Sequence, residues 1–293
     1  MTKGDTQDDK KDALDDKQRT KILYFKKNTN MAVTMDQIKE LRERTLVSFS
    51  DCKNALIETD GDVELAIEAL RKKGIAKAAK RADNETKEGK IKIDIVDDKA
   101  YIVSVGCETD FVSRNDVFGE MLDKFLETLK STGDEVAALA KCEEIKSDYV
   151  LKIGENLKIL ALNIISGDAV ESYVHSNGKL ASVVTAKAGS DTEKLKQVAM
   201  HVVATNPEVM SPSDMSADVV AKEKEIQLEQ MKQDPKNTNK PADILEKIIE
   251  GKIKKFTEEN ALLTQAFVVN PDITVGQLMG DKLVSFKRYG IGE

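Results

Sequence analysis

Twice in the middle of the chain, alternating apolar and polar residues turn back on themselves and then give way to helical spacing, an order that few folds accommodate. In the first copy Ile91, Ile93 and Ile95 alternate with polar residues, Asp97-Asp98-Lys99 turns the chain, and residues 100–105 return. Val117, Phe118, Met121, Leu122, Phe125 and Leu129 then follow at the spacing of one helix face. In the second copy residues 169–174 read as a strand, Ser176-Asn177-Gly178-Lys179 as a hairpin turn, residues 180–186 as the return and residues 191–204 as a helix. Strands of period two present an apolar face that helices must cover. The pattern therefore predicts an α+β fold whose core is two related hairpin-plus-helix subdomains, over residues 89–165 and 166–216.

Helical signals flank this core. Thr34 and Gln37 have the spacing of a capping box, and Val33 and Ile38 that of a hydrophobic staple. A second helix is expected after Ser50, and a third with Val63, Ala66, Ile67 and Leu70 on one face, ended by Gly74. Three helices within residues 31–75 make a small bundle resembling ubiquitin-associated domains, followed over residues 76–88 by an Ala-rich, basic helical linker. Beyond the core, Val219, Ile226 and Met231 mark one arm, and Leu245, Ile249, Ile253 and Phe256 a second. Residues 234–241 carry two prolines and cannot be helical, with Pro241 placed where a first helical turn tolerates it. The pair predicts an antiparallel coiled-coil hairpin inserted over residues 217–260, with residues 261–293 completing the core and a short C-terminal module. Residues 1–30 hold few large apolar side chains before Ile22, Leu23, Tyr24 and Phe25 and are expected to be disordered or weakly helical. They read either as part of the biological protein or as an extension upstream of a start at Met31.

Composition excludes several classes of function. A net charge of -7 argues against wrapping nucleic acid by bulk electrostatics. The basic run from Arg71 to Arg81 lacks interleaved aromatics, so RNA is not an expected partner. No apolar run approaches the ~20 residues that span a bilayer, and the N-terminus lacks the apolar core of a secretory signal. A cytoplasmic protein without membrane contact is expected. Cys52, Cys107 and Cys142 are odd in number and form no Cys-x-x-Cys pair, which suggests neither a disulfide framework nor zinc. No Gly-x-x-x-x-Gly-Lys-Ser/Thr loop occurs, and Asn239-Lys240-Pro241-Ala242-Asp243 brings its Asp one residue late for a guanine-reading motif, so direct nucleotide binding is not expected. With only His175 and His201, and no Ser, Cys or carboxylate arrangement around either, an enzymatic triad, a cofactor and a resident metal are all unexpected. His201 shares a predicted helix with Val198 and Val202 and reads as a core or edge residue; His175 flanks the hairpin turn as a surface or contact residue.

One segment stands apart. Cys107-Glu108-Thr109-Asp110-Phe111-Val112 leaves the predicted strand and precedes the predicted helix, setting an aromatic beside a carboxylate at a junction. Such a Phe is either a plug closing its own core or an exposed anchor for a partner, and on composition alone the plug is the commoner outcome.

The segment resembles the second signature of the bacterial elongation factor Ts family. Lys39 to Thr45 followed by Asp51-Cys52-Lys53-Asn54-Ala55-Leu56 resembles the first. Lys152-Ile153-Gly154-Glu155-Asn156, Met200-His201-Val202, Lys254-Lys255-Phe256-Thr257 and Thr274-Val275-Gly276-Gln277-Leu278 recur in the family's order. The resemblance implies a guanine nucleotide exchange factor that binds elongation factor Tu, GDP-bound or nucleotide-free, and displaces Mg²⁺ from the partner's nucleotide site. It implies that Thr109, Asp110, Phe111 and Val112 carry out that displacement, with further contacts at Ile153, His175, Leu41, Arg42 and Thr45. Leu46 stands where the first signature usually has Gly, which predicts a rearranged turn after Thr45; Ser104 and Gly106 stand where Glu and Asn are common. Many relatives continue past the position of Glu293 into a helix that embraces the partner, so that contact is expected to be shortened. Two rivals remain: a ubiquitin-associated-like binding adaptor without exchange activity, and an enzyme using Cys107 or Cys142 as nucleophile.

Overall fold

The computed structural model describes residues 33–233 and 241–293, so the expectations for residues 1–30 and for most of the loop between the arms lie outside the described residues. The chain divides into two compact units between Lys77 and Ala78.

In the first unit, α1 (Met35–Thr45) opens on the predicted capping box: the Thr34 amide donates to Gln37 Oε1 at 2.9 Å and the Gln37 amide donates to Thr34 Oγ1 at 3.2 Å. Helix α2 (Phe49–Glu58) starts earlier than expected, because Ser48 rather than Ser50 accepts from the Asp51 amide, at 3.2 Å. Ile38, Leu41, Cys52, Leu56, Ala66 and Leu70 are buried. Helix α3 (Val63–Arg81) runs straight through Gly74, which is buried and does not stop it. A helical glycine costs only about 1 kcal/mol relative to Ala, and the Ala-rich stretch that follows propagates the helix. Leu46 takes the left-handed conformation itself (φ 56°, ψ 17°), capping α1 with its amide on the Arg42 carbonyl.

The second unit contains two three-stranded antiparallel sheets. The first has the order β1 (Glu88–Val96), β2 (Lys99–Cys107), β3 (Lys158–Ser166), and the second β4 (Ala169–Val174), β5 (Leu180–Ala186), β8 (Leu283–Gly290). Both predicted hairpins are present. Each also gains a third strand, β3 and β8, that the alternation did not reveal. Between β2 and β3 lie a single turn, α4 (Asp110–Ser113), and two long helices, α5 (Asp116–Thr132) and α6 (Glu135–Ile153). Helix α7 (Thr192–Thr205) covers the second sheet.

Strand alternation sorts these layers. On β2, Val103, Val105 and Cys107 join Phe118, Met121, Phe125 and Leu129 under the helices. Ala100 and Ile102 turn the other way, to meet Ala181, Val183 and Tyr289 of the second sheet. Val184 and Ala186 then face Leu195, Val198 and Val202 of α7. The stack is helix, sheet, sheet, helix. Gly89, at φ +147° opposite Gly106, is required where β1 meets β2, since a Cβ there would collide with the Val105 carbonyl.

Helices α8 (Ala217–Gln233) and α9 (Ala242–Glu259) form the two arms, bridged by Lys252 Nζ donating to Gln227 Oε1 at 2.9 Å. Met231 and Ile249 are buried, but Val219 and Ile226 are exposed, so the apolar seam is shorter than the spacing implied. A small hairpin, β6 (Ala266–Phe267) and β7 (Asn270–Thr274), and the short α10 (Val275–Met279) lead into β8. Among the described residues no helix is long and apolar enough to cross a membrane, and no cluster of His, Cys, Asp or Glu is arranged to hold a metal ion.

Candidate functional site

Strand β2 ends at Cys107, and the chain leaves the sheet through Glu108 and Thr109 into the one turn of α4. Thr109 is its N-cap, in extended conformation, accepting from the Val112 amide at 3.4 Å. Ser113 is buried and its hydroxyl donates to the Asp110 carbonyl at 2.9 Å. A single turn anchored on one side must point something outward. Val112 packs against the cluster beneath α5 and α6, whereas Phe111 is 83 % exposed. The plug reading therefore fails, because Phe111 closes nothing in its own core. Asp110 is half-exposed and paired with Arg114 at 3.2 Å.

Two carboxylates fix this turn from behind. Gly154, left-handed at φ 81°, ends α6 and swings the next residues toward β2. Glu155 Oε2 accepts from the amides of Glu108 and Thr109, both at 3.0 Å, and its Oε1 accepts from the Thr109 hydroxyl at 2.6 Å. Glu108 returns the exchange: its Oε1 accepts from the Asn156 amide at 2.6 Å, from Asn84 Nδ2 at 3.1 Å and from Arg81 at 3.3 Å. The Asn156 amide, with Asn84 and Arg81, holds the Glu108 carboxyl below the usual range. Asn156 Nδ2 donates to the Asn84 carbonyl at 2.8 Å, closing the network.

Cys107 donates its thiol to the Thr109 carbonyl at 3.2 Å. Burial, aided by the nearby carboxylates of Glu155 and Glu88, pushes that thiol up to about 12, and burial pushes Cys142 to about 11. Both are protonated at neutral pH and enclosed, which removes the material for a cysteine nucleophile.

Ile153, half-buried, packs on the same cluster as Val112. His175 follows β4, and its amide donates to the Leu180 carbonyl at 2.8 Å across the hairpin turn. That turn meets the first sheet: the Ile91 amide donates to the Gly178 carbonyl at 2.8 Å, and Lys179 pairs at 2.6 Å with Glu88, the residue opposite Cys107. The second unit thus brings Thr109 to Val112, Ile153 and His175 to one end. In the first unit Arg42 is exposed and Thr45 half-buried, its hydroxyl donating to the Leu41 carbonyl at 2.6 Å. Leu41 is fully buried and has no side-chain surface to present, so it is a core residue there and not a contact.

His201 is fully buried between two partners, with Nε2 2.9 Å from Gln265 Oε1 and Nδ1 accepting from the Val268 amide at 3.3 Å. Lys73 and Lys77 of the basic run lie on Asp51, and Arg81 lies on Glu108. No role for Glu108, Glu155 or Asn156 follows from the sequence pattern. The available signal was two polar residues directly after Gly154, inside a motif read only as a family marker.

A family model described as "Elongation factor TS" matches residues 108–293. The chain is 44% identical over 265 residues to "Elongation factor Ts" of Photobacterium profundum, which covers 89% of this chain and 92% of the relative. It is 45% identical over 267 residues to the protein of the same name from Pseudoalteromonas translucida, covering 90% of this chain and 92% of the relative. Against that of Klebsiella pneumoniae the identity is 42% over 266 residues, covering 89% and 92%.

Proposed function

The chain belongs to the elongation factor Ts family, and on that basis we propose that it binds elongation factor Tu carrying GDP and promotes GDP release by displacing Mg²⁺ from the partner's nucleotide site. Membership gives the coarse role, nucleotide exchange on elongation factor Tu during translation elongation. The finer reading rests on one observation: Phe111 stands 83 % exposed on a turn held from behind by two carboxylates.

Mg²⁺ bridging a phosphate oxygen and a P-loop hydroxyl is the dominant local charge in such a nucleotide site, so its loss loosens the phosphates. Phe111 enters an apolar niche of the partner, Asp110 fixes the approach by hydrogen bonding, and Thr109 and Val112 hold the turn that carries them. Ile153 and His175 widen this contact, and Arg42 and Thr45 supply a second from the three-helix unit, which we assign as a ubiquitin-associated-like domain over residues 31–75. Residues 76–88 are its linker, residues 89–165 and 166–216 the two core subdomains, residues 217–260 an antiparallel coiled-coil hairpin, and residues 261–293 the rest of the core. On this reading the protein acts, in the cytoplasm, on the nucleotide site of its partner.

Magnitudes require the wide surface. Each tenfold loss of nucleotide affinity takes about 1.4 kcal/mol, and burying one Phe supplies roughly 1.5–3 kcal/mol, so Phe111 accounts for about two decades at most. By linkage, bound nucleotide weakens the factor's own binding by the same factor. The test is stopped-flow release of a fluorescent GDP analogue from cognate elongation factor Tu. Strong acceleration by this protein is expected. A folded protein that binds another ligand and leaves release unchanged would put the adaptor in its place.

A further inference from the structure

We propose that Glu155 is a positioning residue for exchange: its carboxylate sets the aim of Phe111 by holding Thr109, and so decides whether binding is converted into nucleotide release. The inference rests on the exchange reading above. One turn of helix is not stable by itself, and Phe111, 83 % exposed, has little packing of its own to fix it. The cap within the turn is weak, with Thr109 Oγ1 3.4 Å from the Val112 amide.

Glu155 makes up for this at three points. Its Oε2 collects both amides that precede the turn, and its Oε1 takes the Thr109 hydroxyl proton at 2.6 Å. With that proton committed, the lone pairs of Oγ1 face the Val112 amide, so Glu155 also orients the cap. Glu108 reaches back to the Asn156 amide, and each loop therefore carries the carboxylate that binds the other. The base of this clamp is the C-terminal end of α6, which is packed in the core.

Any push of Phe111 against a partner passes through Thr109 to that base. Without Glu155, Phe111 is still exposed and still enters, but the turn yields instead of the partner's metal site. Affinity is kept and the rate is lost.

The experiment measures the maximal GDP-release rate and the half-saturating concentration of factor for wild type, Glu155→Ala, Glu155→Gln, Phe111→Ala and the double variant Phe111→Ala/Glu155→Ala. Glu155→Ala is expected to lower the maximal rate about tenfold while the half-saturating concentration moves by less than about threefold. Glu155→Gln recovers most of the rate, since its amide oxygen still accepts from both backbone amides and its NH₂ donates to Thr109 Oγ1. In the Phe111→Ala background, Glu155→Ala costs less than about twofold more, because the two act as one unit. Thr109→Val, which lacks the hydroxyl, reproduces the loss should Glu155→Ala fold poorly. Additive losses in the double variant, an unchanged rate in Glu155→Ala, or a loss that appears only as weaker binding and a lower melting temperature would overturn this assignment alone. A wild type that releases no GDP would overturn the exchange reading and this assignment with it.

Discussion

Replacing Phe111 by Ala separates two quantities that usually change together. The side chain is 83 % exposed, so truncation opens no cavity and breaks no packing. Its effect on stability should stay within about 0.5 kcal/mol, the range for a surface change away from any special feature. For a chain of this size about 1 kcal/mol corresponds to roughly 2–4 °C, so the melting temperature should move by no more than about 2 °C. Against the partner the arithmetic reverses. Burying a Phe is worth about 1.5–3 kcal/mol, and at about 1.4 kcal/mol per decade its loss should slow GDP release roughly 10- to 100-fold. The assay pairs thermal unfolding of the free protein with stopped-flow release from elongation factor Tu at saturating factor. A melting temperature lowered by about 4 °C or more, twice the expected ceiling, would mean that Phe111 belongs to the core after all. An unchanged release rate would refute the idea that the exposed ring acts on the partner.

Three further outcomes follow from the geometry. Gly89→Ala sets a Cβ against the Val105 carbonyl at positive φ and should destabilise the second unit by about 3 kcal/mol, read by chemical denaturation; a loss below about 1 kcal/mol would contradict the close approach of β1 to β2. Burial holds the His201 imidazole below its ordinary proton affinity. The unfolded chain therefore takes up a proton near pH ~6.5 that the folded one refuses, so stability is full above that pH and falls below it until the folded imidazole also protonates. Thermal unfolding between pH 8 and 5 should show a steeper fall for wild type than for His201→Gln, and parallel curves would refute it. Arg114→Ala removes only an exposed pair at 3.2 Å, worth about 0–1 kcal/mol, and frees Asp110, so exchange should not slow; a tenfold slowing would show that Arg114 itself touches the partner.

Both hairpins could be read from the sequence because alternation with turn residues is a local signal, and β4 and β5 run where the pattern placed them. Their third strands could not. Strand β3 reads Lys-Ile-Leu-Ala-Leu-Asn-Ile-Ile-Ser, a nearly continuous apolar run, and β8 follows a long excursion through the arms. Nothing local says which edge either joins. Gly74 misled because a stop signal is only a propensity, overridden by the Ala-rich helix around it. Leu46 misled in the opposite direction, since the left-handed turn was kept without the glycine that usually permits it. Phe111 was legible as an unusual residue, but its direction was not, for plug and anchor share one sequence and only the inward turn of Val112 separates them. The clamp was the least legible, because Glu108 and Glu155 are far apart in sequence and meet only when α6 has returned to β2.

The order in which the two sheets close matters during synthesis. The first sheet can pair all its strands once residue 166 has left the ribosome, since β3 follows the helices that cover it. The second cannot. Strand β5 ends at Ala186, and its remaining partner begins only at Leu283. Throughout the making of α7, the arms and the small hairpin, β5 holds out a row of unpaired amides and carbonyls beside Val183 and Val184, both destined for burial. Such an edge is a template for wrong pairing, with another nascent chain or with a neighbour's unfinished copy, until residues 283–290 arrive to cover it.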